Sequence, residues 1–192
     1  CSAALSAANV STLAPEARKI STEWHPDWKL ETRRAEPGQI TTWVYNGQPD
    51  PFNNGADATC AYPRYGAASV DTLPDGKPIA VLCKQVVQST TDVNGSQGFA
   101  ATMQTPDPAT PWQVVSRSVS YTYNQFGQVL TSTDERGQVT DYVYHDTTTA
   151  NYTKGDLWKV TNALGHVTEY TQYNPHGQVL QVLDPNGVAT SY

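Results

Sequence analysis

The sequence of 192 residues has little of what marks several common classes of protein. It holds three Phe and one Met against eleven Tyr and five Trp, so its apolar material consists largely of amphipathic rings. Such rings suit β-sheets with one solvated or cavity-facing side. A net charge of −6 argues against a nucleic-acid surface, which needs clustered Lys and Arg. No stretch approaches the roughly 20 apolar residues that cross a membrane, so no membrane span is predicted.

Catalytic motifs are also missing from the sequence. It has no Gly-x-Ser-x-Gly elbow, no phosphate-binding Gly-rich loop and no Cys-x-x-Cys pair. His25 and Asp27 are close together, but no second pair has recognisable metal-ligand spacing, so a solvated surface is the favoured interpretation. His166 and His176 lie beside turn glycines and are expected to be exposed. The sequence therefore predicts no enzyme, no cofactor and no metal site.

The chain does contain an internal repeat. Residues 123–142 recur as residues 173–192, with ten of the twenty aligned positions identical. The unit reads Tyr-Asn-x-x-Gly-Gln-Val-Leu, followed by Asp-x-x-Gly-x-x-Thr-x-Tyr. Self-similarity of this kind is typical of a protein built from one supersecondary unit used many times.

Five short segments of the repeat region begin with Asn or Asp and end, three residues later, with Gly. Asn or Asp at the first position of a turn can bond the downstream backbone, and Gly at the fourth can adopt positive φ. Runs rich in Val, Thr, Tyr and Leu lie between them, which predicts a meander of antiparallel hairpins. The predicted turn residues are Asn124, Gly127, Asp134, Gly137, Asn162, Gly165, Asn174, Gly177, Asp184 and Gly187.

Tyrosines recur at fixed places in the unit. Thr140, Tyr142 and Tyr144 share one face of a strand by period two, and stacked repeats would align Thr and Tyr across strands. The corresponding run at 168–173 is one residue longer, which predicts a bulge near 171–172. The tyrosines assigned a structural role are Tyr123, Tyr142, Tyr144, Tyr170, Tyr173 and Tyr192.

Two loops are predicted outside the regular turns. Asn46 and Gly47 follow a β-branched and aromatic run at 41–45, and this dipeptide is the strongest short signal for a hairpin. The segment between Tyr144 and Gly155 is longer than its counterpart in the repeat. It predicts a protruding loop at 147–151.

The repeated unit resembles the YD repeat of the rearrangement-hotspot (RHS) repeat proteins. The resemblance covers residues 121–192 clearly and residues 24–45 weakly, whereas residues 46–120 match poorly. The predicted organisation has four parts: an N-terminal connector at 1–22, a divergent YD repeat at 23–48, a loop-rich insertion at 49–111 with strands near 79–88 and 99–104, and YD repeats at 112–192.

The resemblance implies both a fold and a function. RHS repeats wind into a spiral β-sheet shell that typically encloses a toxic C-terminal domain, and bacterial members include polymorphic toxins used in competition. The expected fold is therefore all-β, an open-ended part of such a shell. The expected function is to enclose and help deliver a C-terminal toxin or effector, with that domain and neighbouring repeats as partners. The expected location is secreted or at the bacterial cell surface, and any self-cleavage site would lie outside this chain.

A second function of a different class stays open. An extracellular binding or adhesion module would use exposed aromatic rings to line a groove for carbohydrate or a cell-surface partner. In the alternative interpretation, the same rings pack between layers of sheet. The candidates are the five tryptophans Trp24, Trp28, Trp43, Trp112 and Trp158.

The three cysteines leave alternatives open as well. In an exported protein, a disulfide between Cys60 and Cys83 would tie the insertion to a strand and contribute roughly 3 kcal/mol. The alternative is two ordinary cysteines, because connectivity cannot be deduced from sequence. Cys1 is either the lipid-modified first residue of a lipoprotein or the boundary of a fragment. A strand that ends at Tyr192 without a cap predicts that the sheet continues in a longer parent protein.

Overall fold

The computed structural model describes residues 17–61, 76–77, 79–109 and 116–192. Within these ranges it confirms the predicted all-β class: eleven antiparallel strands form one open sheet whose strand order follows the chain. No helix among these residues is long and apolar enough to cross a membrane. The expectations for Cys1, for most of the connector and for Trp112 lie outside the described residues.

The chain divides into two compact units, Cys1–Val119 and Ser120–Tyr192. The first unit contains β1 (Ser21–Trp24), β2 (Glu31–Glu36), β3 (Gln39–Tyr45), β4 (Leu82–Ser89) and a 3-10 turn at Gly98–Ala100. The strands that follow are β5 (Ser116–Tyr123), β6 (Val129–Thr133), β7 (Val139–Tyr144), β8 (Leu157–Thr161), β9 (Val167–Tyr173), β10 (Val179–Leu183) and β11 (Ala189–Ser191).

The first unit has a small apolar core on the β2–β3 hairpin. Ala35 and Ile40 are opposite each other in the register and are 2% and 1% exposed. Ala101 completes the cluster, and Phe99 packs against it. The hairpin closes over Pro37 and Gly38 because proline fixes φ for the turn and Gly38 takes a φ of 84°.

Residues 99–104 do not form the predicted strand. The chain makes a 3-10 turn at Gly98–Ala100, and Met103 forms only an isolated bridge to Thr90. The physical reason is Asp92, which is 3% exposed and accepts the amides of Gly95 and Gln97, each at 2.9 Å. A side chain that binds local backbone donors competes with strand pairing.

The hairpin predicted at Asn46 and Gly47 is also wrong. A turn forms there, with the Gln48 amide donating to the Tyr45 carbonyl at 3.0 Å. However, β3 pairs next with β4, which begins only at Leu82. The buried Asn46 side chain explains the difference, because its Oδ1 accepts the Cys60 amide at 3.1 Å and holds the chain in a longer loop.

Strand β7 of the second unit follows the predicted facing. In β7, Thr140, Tyr142 and Tyr144 are half-buried while the residues between them are exposed, which confirms the alternation. The bulge predicted near 171–172 is confirmed as well. Gln172 faces Gln181 and Tyr170 faces Val182, so one residue of β9 has no counterpart in the register.

Candidate functional site

The five Asx-to-Gly turns of the second unit share one pattern of hydrogen bonds. In the first, the Gly127 amide donates to the Asn124 carbonyl at 3.0 Å, and the Asn124 amide donates to the Gln128 carbonyl at 2.9 Å. The Asn124 side-chain Oδ1 accepts the amides of Phe126 and Gln128 at 2.9 and 3.0 Å. The same bonds recur in the turns that begin at Asp134, Asn162, Asn174 and Asp184.

The glycines that end these turns are needed for backbone conformation rather than for space. Their φ values lie between 75° and 80°, a region that side chains with a Cβ rarely adopt. A Cβ at any of them would have open space around it. The five glycines are Gly127, Gly137, Gly165, Gly177 and Gly187.

The carboxylates of the turns are occupied by this structural task. The amide of Val188, with a smaller contribution from that of Asn186, holds the pKa of Asp184 below its ordinary value. A carboxylate that accepts backbone N–H groups is stabilised in its charged form. Asp184 is thus an acceptor that fixes a turn, and its position does not suggest acid–base chemistry.

A second recurring feature is a tyrosine at the end of a strand. The hydroxyls of Tyr45, Tyr144 and Tyr173 donate to the carbonyl of the first residue of the preceding strand, at 3.2, 2.8 and 2.6 Å. The accepting residues are Glu31, Val129 and Leu157. Each of these bonds supplies a partner to a carbonyl at a strand end.

The same tyrosines mark irregularities of the register. Tyr45 faces Leu82 and Tyr144 faces Leu157, each the first residue of the next strand, and the register shifts at both points. Sequence reasoning assigned Tyr144 and Tyr173 a role in cross-strand ladders and missed the bond to the backbone. The available signal was their constant place just before each turn or loop.

Burial favours the protonated form of these hydroxyl groups. It raises the pKa of Tyr173 to about 12, with smaller contributions from Asp156 and Tyr170. Burial is also the main cause that raises the pKa of Tyr45, Tyr123 and Tyr144. At neutral pH such groups act as hydrogen-bond donors.

The remaining tyrosines named from the sequence have varied surroundings. Tyr123 is 8% exposed and Tyr192 is 78% exposed, while Tyr142 and Tyr170 are half-buried. The Tyr142 hydroxyl lies 3.4 Å from the Ser132 hydroxyl of the neighbouring strand. The structure therefore does not gather the six tyrosines into one site.

The long loop after β7 is exposed at 147–151, in agreement with the prediction, but its ends are fastened. Tyr152 stacks on His145 with ring centroids 3.5 Å apart, and the Gln128 side chain donates to the Gly155 carbonyl at 2.7 Å. A groove of about 590 Å³ lies beside it. Its lining is Asn124, Gln125, Phe126, Gln128, Tyr144, His145, Asp146, Lys154 and Gly155.

Side-chain links fasten the insertion of the first unit. A disulfide joins Cys60 and Cys83, with their Cα atoms 5.4 Å apart. Lys84 forms an ion pair with Asp50, whose side chain is 6% exposed. Both links attach the loop after β3 to strand β4.

The expectation that His25 lies at a solvated surface is wrong. His25 is 3% exposed, its Nδ1 accepts the Asp27 amide at 3.1 Å, and its ring meets that of Tyr45 edge-on. Burial lowers the pKa of His25, and Asp27 opposes that shift. Within the described ranges, no group of three His, Cys, Asp or Glu side chains could hold a metal ion.

The tryptophans with a described position do not converge on a single groove. Trp24 is 57% exposed and shares a groove with the half-buried Trp28. Trp43 lines a different groove, and Trp158 lies in the second unit beside His145. The first pair is therefore the aromatic grouping that best fits the binding hypothesis.

Repeated Asx-to-Gly turns and a sheet ordered along the chain define a repeat protein of the β class. A family model described as RHS Repeat matches residues 152–190. This match confirms, over those residues, the resemblance to RHS repeats found in the sequence. None of the curated proteins compared with the chain matches it.

Several solved structures are similar to the chain at low identity. The structure of TcdB2-TccC3 without its hypervariable C-terminal region is 18% identical, with a TM-score of 0.46, and the match covers 93% of this chain and 7% of that one. TcdB2-TccC3 is 17% identical, with a TM-score of 0.38, and the match covers 92% of this chain and 10% of that one. The Photorhabdus luminescens Tc holotoxin pore is 12% identical, with a TM-score of 0.35, and the match covers 92% of this chain and 9% of that one. The chain thus spans a small part of each.

Proposed function

We propose that the chain is a structural segment of an RHS-repeat β-shell, which encloses and helps to deliver a C-terminal toxin or effector of a secreted bacterial protein. The observation that carries this proposal is the hairpin unit with one turn repeated five times in chain order. Because each hairpin pairs with its neighbours along the chain, such units can be added in series to build a large wall. The RHS repeat at 152–190 supports the same conclusion.

The proposed role is to hold a cargo rather than to transform it. The groups that recur in the repeats have structural partners: Asp184 accepts turn amides, and Tyr144 and Tyr173 donate to strand carbonyls. Side chains committed to these bonds are poorly placed for acid–base or nucleophilic work. Chemistry, in this proposal, belongs to the enclosed domain.

Secretion is supported by the disulfide between Cys60 and Cys83. Such bonds persist in oxidising environments such as the periplasm or the cell exterior and are rare in the cytosol. The location proposed for the protein is therefore secreted or at the bacterial cell surface.

The test uses the intact protein that carries this chain. Its mass and a peptide map past Tyr192 would show whether further Asp-x-x-Gly units lead to a non-repetitive C-terminal domain. Limited proteolysis would then measure protection of that domain. We expect Gly137→Val, which blocks a positive φ, to expose the domain to protease, and Glu135→Ala in the same turn to leave it protected.

Two outcomes would count against the shell. One is a map that shows no domain beyond the repeats. The other is a C-terminal domain that proteases cleave equally fast in the native protein and in the Gly137→Val variant.

A further inference from the structure

The loop between β1 and β2 forms a small aromatic groove in the first unit. Its volume is about 570 Å³. Trp24 is 57% exposed at one side, and an exposed indole beside a groove is a common feature of ligand sites. The lining consists of Trp24, His25, Pro26, Asp27, Trp28 and Lys29.

The loop is held from below by His25. Its amide donates to the Leu30 carbonyl at 2.8 Å, its Nδ1 accepts the Asp27 amide at 3.1 Å, and its ring meets that of Tyr45 with centroids 5.9 Å apart. A loop fixed in this way loses little conformational entropy when a ligand binds. The backbone of the loop is therefore largely preformed, and the side chains that line the groove are the part that would adjust to a ligand.

Two hydrogen-bond donors of the lining lack an acceptor. Because His25 Nδ1 accepts a hydrogen bond, the proton of the neutral ring is on Nε2. This Nε2 and the Nε1 of Trp28 are both buried and have no hydrogen-bond partner. Unpaired buried donors are costly and uncommon, so an acceptor oxygen that reached either atom would gain a favourable bond. Neither atom is open to solvent, so an acceptor reaches it only when the lining side chains shift around a ligand.

The charges of the groove narrow the class of ligand. Asp27 and Lys29 in the lining have opposite sign. The Lys77 amine lies 5.3 Å from the centroid of the Trp28 ring, where it forms a cation–π contact. Because Asp27 and Lys29 are of opposite sign and the Lys77 amine is held against the Trp28 ring, the groove suits a neutral molecule that has an apolar face for Trp24 and several oxygens for the two donors.

We propose that the loop from Trp24 to Lys29 binds a pyranose ring of a neutral glycan. The C–H face of the sugar stacks on the Trp24 indole, and sugar oxygens accept from Trp28 Nε1 and His25 Nε2. This activity is independent of cargo enclosure and would let the same chain contact a cell surface.

The test is a titration of the 192-residue chain, followed by tryptophan fluorescence. The probes are neutral oligosaccharides of glucose, galactose, mannose and N-acetylglucosamine, at concentrations up to about 10 mM. We expect at least one to bind with a Kd on the order of 1 mM, as suits a single shallow site. Trp24→Ala should weaken that binding by about tenfold or more, because it removes the stacking ring. Trp28→Phe keeps a ring but loses the N–H, so a several-fold loss is expected.

Trp158→Ala is the matched control, because Trp158 is 37% exposed but lies in the second unit. Its affinity should equal that of the native chain, and Trp24→Tyr, which keeps an aromatic face, should retain most of the binding. The proposal is overturned if no neutral oligosaccharide binds, or if Trp158→Ala loses as much affinity as Trp24→Ala. It is also overturned if a proline-rich peptide, and no glycan, binds in a manner that depends on Trp24.

Discussion

The two units of the chain support similar strands by different means. In the second unit, where every residue is described, Tyr123 is the only buried side chain. Its turns repeat one set of hydrogen bonds within the main chain and to the side chain of the first Asn or Asp. The first unit buries Ile40 and Val44 and also polar groups such as Asn46 and Asp50. The second unit therefore depends on repetition of a local motif, whereas the first depends on a core and on links between distant parts of its chain.

The difference follows from the length of the connections. A short Asx-to-Gly turn closes its hairpin with local bonds, and little loop entropy is lost. The connection from β3 to β4 runs from residue 46 to residue 81, and closing it costs more. The disulfide at Cys83, the ion pair between Asp50 and Lys84, and the buried side chain of Asn46 offset that cost.

The largest expected effect comes from a core substitution in the first unit. Ile40→Ala should lower the free energy of unfolding by about 2–5 kcal/mol, because a side chain that is 1% exposed leaves a cavity. Leu183→Ala, at a half-buried site on β10, removes as many carbon atoms and should cost clearly less. Urea unfolding of both variants measures this, and equal losses would contradict the contrast between the units.

Loss of the disulfide should have the next largest effect. Cys60→Ser opens a loop of sequence separation 23 and should cost roughly 3 kcal/mol. Hydrogen exchange should rise in residues 46–61 and stay unchanged in the turns of the second unit. Reductant should reproduce the change in the native chain and add nothing to the variant. Faster exchange throughout the second unit would show that the two units are not independent in this respect.

Two glycines with nearly equal φ allow a sharper comparison. Gly95 in the first unit has φ 78° and Gly177 in the second has φ 76°, so an alanine at either strains the backbone similarly. A Cβ at Gly177 meets open space, whereas one at Gly95 would lie 2.0 Å from the Lys19 carbonyl oxygen. Gly95→Ala should therefore cost about 1–3 kcal/mol more than Gly177→Ala, which thermal unfolding can measure. Equal costs would show that the Lys19 segment yields easily.

The parts of the fold that follow from local chemistry were accessible from the sequence. The turn from Asn124 to Gly127 needs an acceptor at its start and positive φ at its end, and both are properties of single residues. The face shared by Tyr142 and Tyr144 follows from period two alone. These features repeat because the same few residues determine them each time.

The predictions that were wrong concern parts of the fold that depend on contacts between distant residues. Asn46 forms its turn but is captured by the amides of Cys60 and Ala61, which no local pattern indicates. Asp92 organises the loop that replaces the predicted strand at 99–104, and His25 is buried against Tyr45. For the candidate site, the sequence identified Trp24 and Trp28 as aromatic candidates, but the unpaired donors appear only once the loop is folded.

The smallest expected effect concerns the tyrosine at the end of a strand, a feature that both units share. Since the pKa of Tyr173 is about 12 when folded and about 10 when unfolded, the unfolded chain loses its proton first as the pH rises. Its contribution to stability is complete below about pH 10 and is lost as the pH approaches the folded value.

Tyr173→Phe should cost about 1 kcal/mol at neutral pH, through loss of the bond to the Leu157 carbonyl, and should make the alkaline decline shallower. Tyr192→Phe, at a 78% exposed position, should change neither quantity in urea unfolding between about pH 7 and pH 12. If the alkaline decline in stability is unchanged in Tyr173→Phe, the titrating group lies elsewhere, and Tyr173 contributes through its hydrogen bond alone.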